Sequence, residues 1–109
     1  MSWNDLFTNK SLSDETVWSK EISLRDNRHD HGLEIVVTGT GSIAITPYTS
    51  ISGRSWVSNG EKINGFEVTD GPDSDGKQIL SLLVKPSEYI KFKFTATGDI
   101  ILTSWFTQK

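Results

Sequence analysis

The chain has 109 residues, a formal net charge of −3 and no cysteine. That length fits one domain with a single core, and the missing thiols exclude both a disulfide framework and a thiolate metal site. The acidic balance, with a pI near 5.2, speaks against nucleic-acid binding, which needs Lys and Arg gathered on one face.

The start, Met1-Ser2-Trp3-Asn4-Asp5, lacks a basic segment followed by an apolar run, and no stretch reaches the roughly 18 apolar residues of a membrane helix. A soluble product without an export signal is expected. Residues 1–14 read as an N-terminal arm distinct from a domain over 15–109: Ser2-x-x-Asp5 predicts a capped helical turn that sets Trp3, Leu6 and Phe7 on one side. From Thr16 onward the period is two. Trp18, Ile22 and Leu24 fall on one face of a first strand that also carries Lys20. Leu33, Ile35 and Val37 then alternate with Glu34, Val36 and Thr38, and after Gly39-Thr40-Gly41 the pattern resumes at Ile43 and Ile45. This predicts a β-hairpin with a three-residue loop.

Residues 50–76 are loop-rich, with turn chemistry at Ser58-Asn59-Gly60 and Asp75-Gly76. Trp56-Val57 and Phe66-Glu67-Val68 read as short strands. The apolar run Ile79 to Val84 predicts a strand covered on both sides or central in a sheet, ended by Lys85-Pro86. Ile90, Phe92 and Phe94 point one way and Lys91 and Lys93 the other. Past a turn at Thr97-Gly98, the last strand carries Ile100, Leu102 and Phe106 on one face and Ile101, Thr103 and Trp105 on the other, so both faces call for cover. Six to eight short strands with no sustained helical period predict an all-β, two-layer antiparallel β-sandwich of jelly-roll or immunoglobulin-like kind, with a small barrel as the alternative.

Two polar clusters suggest metals. His29-Asp30-His31 offers imidazole and carboxylate ligands, but no third ligand is identifiable, and a solvated loop over residues 26–32 is the simpler reading. Asp70-Gly71-Pro72-Asp73-Ser74-Asp75-Gly76 is acidic enough for calcium. The EF-hand spacing fails there, because the required late Glu falls on Val84, and turn chemistry accounts for the segment. No Gly-x-Ser-x-Gly and no phosphate-cradling loop is present, and nothing pairs Glu34, Glu61, Glu67 or Glu88 for acid/base work. The expectation is a binding protein without catalytic residues, cofactor or bound metal.

Aromatic platforms on a β-sandwich can hold sugar rings. Trp56, in a polar loop beside Arg54, Ser58 and Asn59, is the candidate for that role, with Trp56, Arg54 and Asn59 as ligand-binding residues of a carbohydrate-binding module. Trp18 and Trp105 lie on strands and are expected in the core. Trp3, Leu6 and Phe7 are expected either to fold over an open end of their own sandwich or to dock on a neighbouring chain.

In order, the chain runs through Leu33-Glu34-Ile35-Val36-Val37-Thr38-Gly39, Ile43-Ala44-Ile45-Thr46-Pro47-Tyr48 and Ser50-Ile51-Ser52-Gly53-Arg54-Ser55-Trp56-Val57. Tyr89-Ile90-Lys91-Phe92-Lys93-Phe94-Thr95-Ala96-Thr97-Gly98 follows, and the last strand closes at Trp105-Phe106-Thr107-Gln108. Over residues 15–109 this succession resembles a loose group of small β-sandwich structural proteins of tailed bacteriophages. The resemblance implies a virion component assembled in the host cytoplasm: a capsid decoration (cement) protein or a neck or tail attachment piece. It further implies a major capsid or tail protein as partner and a homo-oligomer, with trimers common in the group. Trp3, Leu6 and Phe7 would then be the partner-binding anchors, held on an arm that becomes ordered on docking.

Overall fold

The alternation in the sequence becomes alternation in burial. The structure, a computed structural model, describes residues 2–24, 31–82 and 87–108, with the backbone alone for Ser2 and Trp3. Its strands are β1 (Ser2–Ser13), β2 (Thr16–Trp18), β3 (Ile22–Ser23), β4 (His31–Gly39), β5 (Ser42–Ser50), β6 (Val57–Ser58), β7 (Ile63–Glu67), β8 (Lys77–Leu82), β9 (Tyr89–Thr97) and β10 (Asp99–Gln108). Along β9 every second residue is buried, from Ile90 through Phe92 and Phe94 to Ala96. β-Branched and aromatic side chains at that spacing suit a pleated surface with one face on a core.

The strands form two antiparallel sheets, one ordered β1-β10-β4-β8 and the other β2-β9-β5-β6, with β3 also on β9 and β7 also on β5. Counting β2/β3 and β6/β7 as one interrupted strand each, the pairs are nested: first with last, second with second-last, and so inward to β5 with β6/β7. A long antiparallel hairpin rolled over itself gives this order, and the rolling adds the pairs β10 with β4 and β9 with β5. Of the two sandwich kinds expected, the fold is therefore the jelly roll.

Phe92 and Phe94 project from β9 into the space between the sheets. Phe92 meets Phe106 of the facing sheet at 5.5 Å between ring centroids, and Phe94 and Phe7 stand edge to face at 5.2 Å and 88°. Leu33, Ile35, Val37, Ile43, Ile45 and Leu102 fill the remainder, each fully buried. Each such side chain contributes about 1.5–3 kcal/mol on burial. Two buried polar side chains bond to backbone: Ser104 Oγ donates to the Glu34 carbonyl at 2.9 Å, and Gln108 Nε2 donates to the Ser23 carbonyl at 3.2 Å, tying the two sheets.

Several expectations are corrected. Ser2 to Asp5 is extended, because Ser2–Ser13 pairs along β10 from Ser2↔Gln108 to Ser13↔Asp99. Backbone pairing along a complete strand outweighs one capped turn. The loop at Gly39-Thr40-Gly41 closes no hairpin: β4 and β5 lie in opposite sheets, as do β9 and β10 on either side of Gly98. Both loops arch across the sandwich, and they stack on each other. The Thr40 and Gly41 amides both donate to the Asp99 carbonyl at 3.0 Å, and a Cβ on Gly41 would overlap the Thr97 carbonyl oxygen. The strand starting at Lys77 is an edge strand and not a central one: Leu80 and Leu82 face inward, whereas Ile79 is 68% exposed.

Trp18 does not share a face with Ile22 and Leu24. The chain breaks between β2 and β3, where Ser19 turns its hydroxyl into the ladder and accepts the Phe92 N–H at 2.9 Å. The side chain substitutes for a strand carbonyl and shifts the alternation, so Ile22 and Leu24 are buried and Trp18 is 44% exposed. A second break, between β6 and β7, lies opposite Pro47. The Pro47 carbonyl accepts the Asn59 N–H on that side at 3.0 Å, so the donor that proline lacks falls where no partner needs it.

Candidate functional site

Since the core lies between the sheets, any binding surface must be an outer face, an edge or a loop end. The outer face of the β1-β10-β4-β8 sheet is built from the alternate positions of its strands. Register sets Asp5, Trp105, Glu34 and Ile79 in one row, Thr103, Val36 and Lys77 in the next, and Ser11, Ile101 and Thr38 beyond. Trp105 was expected in the core; it faces outward and is half-buried, because the inward positions of β10 belong to Leu102, Ser104 and Phe106. Trp105, Val36, Ile79 and Ile101 make a broken apolar stripe, along which Ile101 is 42% exposed. The cover that the last strand calls for on its second face is not supplied by the described residues of this chain.

The other outer face is aromatic and cationic. Trp18 pairs with Lys93, which lies beside Thr46, and Lys91 lies beside Tyr48. The Lys91 ammonium sits 4.6 Å from the Trp18 ring centre and 4.3 Å from that of Trp56. Trp18 also tilts against Tyr48 at 5.0 Å. A cation held against two ring faces is attracted by their quadrupoles. Among the described residues the one ion pair is Lys77 with Asp75 at 3.9 Å, so no described carboxylate neutralises Lys91 or Lys93.

Trp56 thus lies on a surface platform, half-buried against Lys91. Asn59 is half-buried, and its Nδ2 donates to Thr49 Oγ1 at 2.8 Å. Arg54 is exposed, and its amide donates to Ser52 Oγ at 3.1 Å within the loop before β6. Beside this loop is a cleft of about 380 Å³ whose lining includes Ser52, Ser55, Ser58 and the exposed Ile51 and Val57. Of the residues expected to bind sugar, Trp56 alone joins the cluster. Trp18, Tyr48, Lys91 and Lys93 complete it. Their outward positions on β9 were visible as alternation, but only long-range pairing brings Trp18 and Tyr48 to them.

The expected anchors lie along β1. Leu6 and Phe7 pack against the core of their own chain. Trp3 stands opposite Thr107 in the pairing of β1 with β10, and its side chain is outside the described residues.

His29 and Asp30 also lie outside the described residues. His31 opens β4 and stacks on Phe106 at 6.0 Å and 7°. In the acidic loop, Asp70 Oδ2 accepts the Glu67 N–H at 2.8 Å and the Asp70 carbonyl accepts the Gly76 N–H at 2.8 Å. Asp75 turns to Lys77. These carboxylates build the crossing from β7 to β8. Among the described residues no group of three or more His, Asp or Glu is placed to hold a metal. A scan against protein-family models found no match for the chain, and neither did a search of curated proteins.

Proposed function

We propose that the chain is a structural protein of a tailed-phage virion, binding the capsid or tail through protein–protein contacts in a decoration or attachment role. The observation that carries this reading is the uncovered stripe of Trp105, Val36, Ile79 and Ile101 on the outer face of the four-stranded sheet. Apolar side chains left open to solvent on one sheet face and interspersed with polar groups suit an interaction surface. Leu6 and Phe7 are engaged in the chain's own core, which moves the proposed contact from the arm to this face. The resemblance over residues 15–109 supplies the virion, and the jelly roll suits a rigid spacer presenting one face to a shell and the other to solvent.

The test is co-sedimentation of the purified chain with particles that lack it, or with the major shell protein. Saturable association that Ile101→Asp abolishes, while the circular dichroism spectrum stays unchanged, supports the reading. A wild-type chain that remains in the supernatant overturns it. Light scattering on the isolated chain reads whether further copies of the same chain occupy the stripe instead.

A further inference from the structure

We infer that the outer face of the β2-β9-β5-β6 sheet is a binding site for an acidic saccharide, with Trp18, Tyr48 and Trp56 as the stacking surface and Lys91 and Lys93 as the anion-binding groups. This goes beyond the virion role and concerns the opposite face of the molecule.

Three tightly grouped aromatic rings are expensive to leave on a surface unless they serve a contact, and Trp18 is 44% exposed. Their arrangement selects the ligand. Lys91 Nζ lies between the indoles of Trp18 and Trp56, at 4.6 and 4.3 Å from their centres, so a second cation is repelled and an anion is attracted. Lys93, opposite Trp18 in the pairing of β2 with β9, adds a second positive charge on the same face. The rings hold the Lys91 side chain in place, which reduces the conformational entropy a ligand would otherwise have to overcome.

A saccharide fits better than other anions. Indole and phenol faces stack on the C–H faces of sugar rings, and hydroxyl groups border the cluster, with Thr46 beside Lys93 and Ser58 opposite Tyr48. An acidic peptide would seek the unpaired backbone of a sheet edge, whereas both β9 and β5 here are paired on each side. A polynucleotide needs basic groups set along several successive phosphates, whereas this face offers Lys91 and Lys93.

The test is a titration of the full chain, read by tryptophan fluorescence, with an oligosaccharide of galacturonic acid and with the neutral galactose oligosaccharide of equal length. The expected result is saturable binding of the acidic sugar, at least tenfold weaker binding of the neutral one, and weakening of the acidic complex as salt is raised. Trp18→Ala and Lys93→Gln should each reduce affinity at least tenfold with an unchanged circular dichroism spectrum. Lys93→Gln is the control in case the tryptophan variant is perturbed. Equal binding of both sugars, no binding at millimolar concentration, or full affinity in both variants overturns the inference. Lys93→Gln should still co-sediment with particles and Ile101→Asp should still bind the sugar, so the two readings fail independently.

Discussion

Asp14 and Gly98 exchange two hydrogen bonds: the Asp14 amide donates to the Gly98 carbonyl at 3.3 Å, and the Gly98 amide donates to the Asp14 carboxylate at 2.7 Å. Each residue sits in a loop that crosses from one sheet to the other, so the clasp joins the first crossing to the last. Both adopt left-handed backbone, at φ 43° and 75°. Asn and Asp tolerate that region better than other non-glycine residues. Asp14→Ala therefore loses both the acceptor and the conformational tolerance and should cost about 1–2 kcal/mol. Asp14→Asn keeps an oxygen acceptor and should cost less than half as much. Urea unfolding of the two variants checks the order.

Gly41 and Gly65 separate two reasons for glycine. A Cβ on Gly41 meets backbone of the neighbouring arch, at Thr97 and at Gly98, which has no soft side chain to move. Gly65 has φ 69° and open space around it. Gly41→Ala should therefore force the two arches apart and cost about 2–3 kcal/mol, against about 1 kcal/mol for Gly65→Ala. Thermal denaturation measures the difference, with about 4–8 °C expected per kcal/mol for a domain near this size.

Ser19→Ala removes the hydroxyl that accepts the Phe92 N–H and donates to the Lys20 carbonyl at 3.0 Å. The site is buried, so an amide inside the sandwich loses its acceptor. A cost of about 1–3 kcal/mol is expected. Hydrogen exchange should show the Phe92 amide losing protection while that of Phe94, paired with Val17, keeps it.

These positions mark what the sequence discloses and what it conceals. Inward and outward faces of β4, β5, β9 and β10 were legible because a strand with one buried face must alternate. The last strand, apolar on both faces, was legible as needing cover. Which strands pair was not. A short glycine loop reverses the chain equally well within one sheet or between two, and long-range partners decide between them. The phase of Trp18 was concealed by Ser19, whose role as a substitute carbonyl depends on Phe92, far along the chain. The aromatic cluster was half-legible: Trp56 and the outward lysines of β9 stood out, but no local pattern ties them to Trp18 and Tyr48.

The N-terminal segment supplies the last prediction. β1 pairs with β10 over nearly its whole length, with register shifts between Asp5 and Phe7 and between Phe7 and Lys10. In the second irregularity Asn9, at φ 46°, donates its amide to Thr103 Oγ1 at 3.0 Å. Bulges of this kind bend an edge strand away from pairing with other chains. Removing residues 1–14 would bare the edge of β10 and take Leu6, Phe7 and Leu12 off the core. The truncated chain should melt at least 10 °C lower, given a loss of several kcal/mol, and should aggregate through the exposed strand. Phe7→Ala removes one aromatic edge contact on Phe94 and leaves the pairing intact, so it should cost about 2 kcal/mol without aggregation. Calorimetry with light scattering on both variants distinguishes the roles. A truncation that melts like the full chain would mean that β1 belongs functionally to a partner, and the arm would regain its place as the docking element.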